Sequence, residues 1–191
     1  VAYGLVAYQT AYLKANYPGE FMTAVLNAES GDIDRTSFIV SECKKMGIDI
    51  LAPDVNRSAA TFAPEEKNIR FGLSAVKNVG TNIVDAIIAE RQRGGPFADL
   101  GSFLTRVNHR DLNKKSLESL VKCGALDSIG TERNTVLTNI DEILKFNQLV
   151  KRESRTNQAG LFGASLAPQT LHLKEAPPAS PQDKLMWEKE L

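Results

Sequence analysis

Lys77-Asn78-Val79-Gly80-Thr81-Asn82 places a cation, a turn and the start of a helix within six residues, and the chemistry of that arrangement is phosphate binding. A short helical segment ends near Lys77, a three-residue turn reverses the chain, and a second helix opens with its first amides unpaired. Those amides and the positive end of the helix dipole attract an anion, and Lys77 adds a full charge beside them. Turns of this kind usually read Gly-apolar-Gly. Here Asn78 stands first, and Asn enters the left-handed region more readily than most residues. Val79 is expected to point inward and pin the turn to the core, and a β-branched residue at Gly80 is expected to disturb the turn. The competing reading is a plain helix–helix turn with an incidental lysine.

A second helical pair comes next, with a helix over 99–107, a turn through 108–112, and Asn113 as the cap of a helix over 113–123. Arg110, Lys114 and Lys115 crowd the start of that helix, where cations oppose the dipole, and Lys122 lies further along it. A bound anion would relieve the crowding, yet the turn lacks a glycine. The pair therefore reads either as an auxiliary DNA contact or as a structural bundle. Gln158-Ala159-Gly160-Leu161-Phe162 offers a different chemistry: one amide and two large apolar side chains on a short extended peptide in a polar stretch. Leu161 and Phe162 would fill pockets of a preformed groove while Gln158 fixes register. The alternative is a loop packed back on its own domain.

Other residues that tempt a chemical reading are discounted. Gly31-Asp32-Ile33-Asp34 resembles a paired-aspartate magnesium site, but it runs into a helix, so turn and N-cap duty is expected, with Asp34 as the cap. His109 and His172 have no Ser, Cys or Asp constellation around them. Cys43 and Cys123 have no ligand spacing and read as buried or idle thiols. Trp187 is expected to pack against sequence beyond this chain.

The elements that must position these groups are mostly helical. Residues 1–17 carry a broad apolar surface suited to a buried helix, Pro18 starts a second helix, and a third runs to a stop at Gly47. Residues 48–53 read as a short extended segment, and 61–71 as a small hairpin around a polar turn. Helical segments are expected near 74–77, 81–93, 99–107 and 113–123, with a long helix over 132–153. Residues 164–181 are rich in proline and read as a linker. The last helical piece, from 184, is assigned to the domain beyond that linker. The fold class is mainly α, a helical bundle with a tandem helix-hairpin-helix region and a small β-hairpin.

With 42% apolar residues the chain can build a core, and its 23 basic and 23 acidic side chains balance. The distribution does not. Residues 67–122 hold ten Lys/Arg against five acids, a surplus of +5 that the remainder of the chain offsets. No apolar run approaches the ~18 residues of a membrane span. Val1 is no natural start, so a piece of a larger cytosolic protein is expected, with no membrane partner.

The order of parts carries a resemblance. Residues 2–18, Ala-Tyr-Gly-Leu-Val-Ala-Tyr-Gln-Thr-Ala-Tyr-Leu-Lys-Ala-Asn-Tyr-Pro, resemble the fingers of the bacterial DNA polymerase III alpha subunits, the C-family replicative polymerases. Residues 69–80, Ile-Arg-Phe-Gly-Leu-Ser-Ala-Val-Lys-Asn-Val-Gly, are similar to that family's approach to its helix-hairpin-helix region, and 113–127 to its second half. Residues 158–162 fall where the family carries an internal sliding-clamp peptide. The resemblance implies the end of the fingers over 1–60, tandem helix-hairpin-helix over 61–130, a long helix over 131–155, and a clamp-binding loop over 156–163. Residues 164–191 would be linker and the start of the next domain. It also implies duplex DNA, the sliding clamp and other holoenzyme subunits as partners. No catalytic residue and no cofactor are assigned to this piece; the catalytic aspartates and magnesium belong to the palm of the parent enzyme. DNA contacts fall to Lys77, Asn78, Val79, Gly80, Thr81 and Asn82, supported by Arg110, Lys114, Lys115 and Lys122, and clamp contacts to Gln158, Leu161 and Phe162. Two readings from other classes stand beside it: a helix-hairpin-helix DNA repair protein, and a helical protein–protein adaptor.

Overall fold

The computed structural model describes residues 2–107, 109–155 and 173–190; the docking peptide at 158–162 and His172 lie outside the described residues. Contacts divide the chain into two compact units, Val1–Pro53 with Arg57–Ala75, and Asp54–Asn56 with Val76–Leu191. Among the described residues no helix is long and apolar enough to cross a membrane.

The first unit opens with α1 (Ala2–Asn16), which buries no residue. The expected buried helix is instead exposed, with Tyr3 94% accessible and Leu5, Val6, Tyr8 and Tyr12 open to solvent. Its apolar residues are spread around the helix rather than gathered in one stripe, so no single neighbour can cover them. α2 (Pro18–Ala28) starts on proline as expected and buries Met22 and Leu26. α3 (Ile33–Lys45) is capped by Asp32, not Asp34: Asp32 accepts the Arg35 N–H, and Asp34 lies in the first turn, where its charge still suits the dipole. α2 and α3 close with Cys43, Ile48, Phe62 and Ile69 into one core.

The extended segment and the hairpin meet in one sheet. β2 (Ala63–Glu65) runs antiparallel to β3 (Asn68–Arg70), and β1 (Ile50–Leu51) lies parallel on the other side of β3. This third strand is not evident from the hairpin pattern. It forms because the Ile69 and Phe71 N–H groups reach the carbonyls of Asp49 and Leu51, both at 3.0 Å. Gly72 has a steric reason to be glycine, since a Cβ there would run into the backbone of 60–62. The helix expected over 74–77 is a single 3-10 turn, Leu73–Ala75.

The second unit contains α4 (Thr81–Gly94), α5 (Leu100–Arg106) and α6 (Lys114–Lys122), close to their expected bounds. A 3-10 turn, Asp127–Ile129, precedes α7 (Arg133–Thr138) and α8 (Ile140–Arg155). The long helix expected over 132–153 is thus two, broken at Asn139. There the side-chain amide bonds the N–H and C=O of Lys174, each at 2.9 Å, while its Nδ2 also donates to the Thr135 carbonyl at 2.8 Å. The proline-rich stretch read as a linker is, over 173–180, a strap on α7. Asn134 donates to the Pro177 carbonyl, and Glu132 accepts the Ala179 N–H at 2.8 Å. Burial pushes the Glu132 carboxyl up, but the N–H groups of Ala179, Thr135 and Asn134 hold it below the ordinary carboxylate value. α9 (Pro181–Lys189), capped by Ser180, packs on α6 and so belongs to this unit. Both cysteines are buried, and burial pushes the Cys123 thiol up to about 12.

Arg133 joins these parts. Its side chain is only 7% exposed and meets Asp127 at 2.7 Å and Glu188 at 2.8 Å. It also donates to the Lys122 carbonyl at 3.0 Å. Gly124, at φ +81°, leaves the space its guanidinium fills. Because both acids are about half exposed, removing the arginine leaves them hydrated rather than stranded. Arg133→Ala is therefore expected to cost about 2–3 kcal/mol, below the full penalty of breaking a buried pair. Chemical denaturation checks this; a loss under about 0.5 kcal/mol, the scale of an ordinary surface substitution, would show that the hub does not hold the unit.

Candidate nucleic-acid interface

The hairpin turn has the geometry its residues require. Asn78 sits at φ +64°, in the left-handed region, and the Val79 N–H closes the turn onto the Val76 carbonyl at 3.2 Å. Val79 is buried at 6% exposure and anchors the turn from inside. Gly80 is the N-cap of α4 with no side-chain cap, and the Thr81 and Asn82 N–H groups have no partner among the described residues. At Gly80 the expectation is corrected. Its φ of −74° is ordinary, and the space a Cβ would take is open. The fold does not demand glycine there; only something approaching the backbone from outside would.

Two asparagine side chains fasten this turn to the second helical pair. Asn78 Nδ2 donates to Ser119 Oγ on α6 at 3.2 Å, and Asn82 Nδ2 donates to Asp111 Oδ2 at 3.0 Å. Neither partner is visible in the sequence, because a long-range hydrogen bond leaves no local pattern. The result is a cleft of about 410 Å3 lined by Lys77 and Asn78, by Lys115, Glu118, Ser119 and Lys122 of α6, and by Glu190. Residues 115, 119 and 122 keep helical spacing along one side of α6, while Leu117, Leu120 and Val121 are buried. Lys77 and Lys115 are exposed and have no ion pair among the described residues. Lys122 is bound to Glu190 at 3.4 Å. The cleft thus offers two uncommitted ammonium groups, with two carboxylates at its margin.

Arg110 and Lys114 lie elsewhere, around a separate depression. The start of α6 carries its own capping box: Asn113 accepts the Ser116 N–H, and Ser116 Oγ accepts the Asn113 N–H. The crowding of cations there is relieved within the chain. Lys114 meets Asp141 at 2.8 Å, and Arg110 lies 3.6 Å from Asp111. Hydrogen bonding to Asp141 pushes the Lys114 amine up. Other members of the basic surplus are structural. Arg106 donates to the carbonyls of Glu90, Gly95 and Pro96 at the end of α4 and covers Phe97. Arg91 donates to the Val55 carbonyl, and Arg70 clasps Glu65 at 2.7 and 2.8 Å. His109 serves its turn by accepting the Asp111 N–H.

Comparison with known proteins agrees with this geometry. Residues 47–136 match the family model described as a helix-hairpin-helix motif. DNA polymerase III subunit alpha of Thermus aquaticus is 44% identical over 189 residues, 99% of this chain and 15% of that protein. The subunit of Borreliella burgdorferi is 42% identical over 163 residues, 85% of this chain and 14% of that protein. That of Neisseria meningitidis serogroup A is 40% identical over 190 residues, 98% of this chain and 16% of that protein. The resemblance read from the residues holds: the chain is similar, over nearly its whole length, to a stretch of DNA polymerase III subunit alpha. It spans about one sixth of the length of those relatives or less.

The turn geometry sets an order of stabilities. Asn78→Gly loses the bond to Ser119 but keeps the left-handed turn, at a cost of about 1 kcal/mol. Asn78→Val adds a β-branched residue at positive φ, a further ~1–2 kcal/mol. Gly80→Ala should stay within about 0.5 kcal/mol of the parent. Denaturation curves measure all three, and equal losses for the glycine and valine variants would contradict the strain argument.

Proposed function

We propose that this chain is a segment of a bacterial DNA polymerase III subunit alpha, running from the end of the fingers through the helix-hairpin-helix region, that holds duplex DNA by its phosphates and tethers the enzyme to the sliding clamp. The observation that carries the DNA reading is the cleft where Lys77 of the hairpin meets Lys115 and Lys122 of α6, beside the uncapped start of α4. Free amides at a helix start together with nearby lysines favour phosphate, and contacts to phosphate carry no base identity. Gly80 fits as the place where a phosphate approaches main chain, its open space being useful to a ligand and not to the fold. Arg110 and Lys114, which line a separate depression and not the cleft at the hairpin, are assigned no phosphate. The parent would be a primer-extending enzyme of the cytoplasm, acting with magnesium and with other holoenzyme subunits. This segment supplies grip and not catalysis: Asp32 caps α3, as an aspartate in a turn does.

Neutralising phosphates releases counterions, so affinity should fall with salt at a slope of about −0.9 per contact, or roughly −2 to −3 for two or three lysine contacts. Fluorescence anisotropy of this chain on unrelated duplexes should give similar affinities. Lys77→Ala or Lys115→Ala should each flatten the slope by about 0.9. Gly80→Ala should weaken binding while leaving thermal stability alone. A response flat in salt would favour the protein–protein adaptor, and strong preference for one sequence would also defeat the reading.

The tether is assigned to Gln158, Leu161 and Phe162 from their sequence pattern. Burying Leu and Phe at ~25 cal/mol per Å2 supplies a few kcal/mol before ordering costs. The site alone should therefore bind in the micromolar range, rising within the polymerase because DNA holds both proteins together. Calorimetry against purified sliding clamp should show binding that vanishes in Leu161→Ala/Phe162→Ala, with DNA affinity and melting temperature intact. A double mutant that still binds moves the clamp contact elsewhere, and one that unfolds makes the pair core.

A further inference from the structure

Asparagine recurs in this chain in one role. Asn27 Nδ2 donates to the Phe62 carbonyl while its Oδ1 accepts the Phe62 N–H, each at 2.9 Å. Asn56 holds Phe97 in the same way, at 3.0 and 2.7 Å. Asn139 holds Lys174, at 2.9 Å twice. In each case one side-chain amide satisfies both main-chain groups of one residue, and none of the three gripped residues lies in a helix or strand. The amide's donor and acceptor match the edge of an extended chain.

Asn147 is a buried asparagine without such a partner. It comes after Ile140 and Ile143 along the buried side of α8 and is 1% exposed, yet neither Nδ2 nor Oδ1 has a hydrogen-bond partner among the described residues. An amide left unpaired at a core position is destabilising, so its presence there asks for a reason. It lines the depression around Arg110 and Lys114, of about 210 Å3, with Leu112 and Leu144 as apolar walls.

We propose that Asn147 is the receptor half of the same device, gripping the N–H and C=O of one residue in an extended acidic peptide of a partner protein. An apolar side chain of that peptide would rest against Leu112 and Leu144, and a flanking carboxylate would face Arg110 or Lys114. The three filled examples in this molecule all hold main chain. Lys114 already takes a carboxylate from Asp141 at 2.8 Å, and Arg110, with its side chain 85% exposed, faces Asp111. A nucleobase edge offers a similar donor–acceptor pair, but every filled example of the device in this molecule holds main chain. The depression is smaller than a typical small-molecule pocket and suits one residue of a chain passing over it. Because both amide atoms are closed off, admission requires the exposed Lys114 and Gln148 side chains at the rim to swing aside, a rotamer-scale motion.

The side-chain amide resonances of Asn147, assigned by their loss in Asn147→Leu, report the site directly. Titration of this chain with the capped tripeptide acetyl-Asp-Leu-Asp-methylamide should shift them saturably, in the millimolar range. Acetyl-Lys-Leu-Lys-methylamide should bind roughly tenfold more weakly or less. Adenosine monophosphate should leave the resonances in place. Asn147→Leu should raise the melting temperature and abolish the leucine-methyl shifts at Leu112 and Leu144. Shifts with the nucleotide and not the acidic peptide would make this a nucleotide contact. No shift with the peptide, or a lower melting temperature in Asn147→Leu, would make Asn147 a structural residue and overturn the proposal.

Discussion

A single buried cation organises the second unit. Arg133 has to be there before α6, the turn after it, α7 and α9 can share one position, because its guanidinium is the only group described that bonds to three of these parts at once. A guanidinium is suited to this: it stays charged, and its rigid fork serves several acceptors together. Asp127 and Glu188 hold it charged and push its value further up. Gly124 is the counterpart, since its positive φ turns the chain and its missing side chain makes the room. The lysine-bearing side of α6 is therefore fixed at both ends, by its capping box at the start and by Arg133 on the Lys122 carbonyl at the finish.

The features legible in the sequence are those that short-range chemistry decides. Asn78 in a left-handed turn, Val79 beneath it, and the spans of α4 to α6 come from rules that operate over four or five residues, and the structure repeats them. The parts that are not legible depend on partners far along the chain. The grip of Asn139 on Lys174 reaches across 35 residues, and the third strand comes from Ile69 reaching back to Asp49. Asp32 and Asp34 are equally good caps by type, and only the backbone could choose. In α1 the failure is different: apolar content stands in for burial, when the absence of a stripe already argues against a single covering neighbour.

Charge is the most misleading signal in aggregate and the most useful residue by residue. The surplus between 67 and 122 is real, yet Arg70, Arg91 and Arg106 spend their hydrogen bonds on main-chain carbonyls or on Glu65. Arginine near glycine-rich turns and helix ends closes backbone, as Arg106 does over Gly95. Lysines at the hairpin and along one side of α6 do not. A count of cations cannot separate these uses; the position of each relative to a helix end can.

The short excursion at 54–56 has a topological consequence. Val55, fully buried, gives its N–H to Ala125 at 2.9 Å, and Asn56 holds Phe97, so these three residues complete a unit whose remainder begins only at Val76. The second unit is consequently discontinuous in sequence, and residues 57–75 form a loop that must close before it is whole. Closing a loop of that length carries an entropic cost that grows only slowly with its size. The cost is offset once those three residues settle, so the two units are coupled in the order of folding. No single cut in the chain separates the two units.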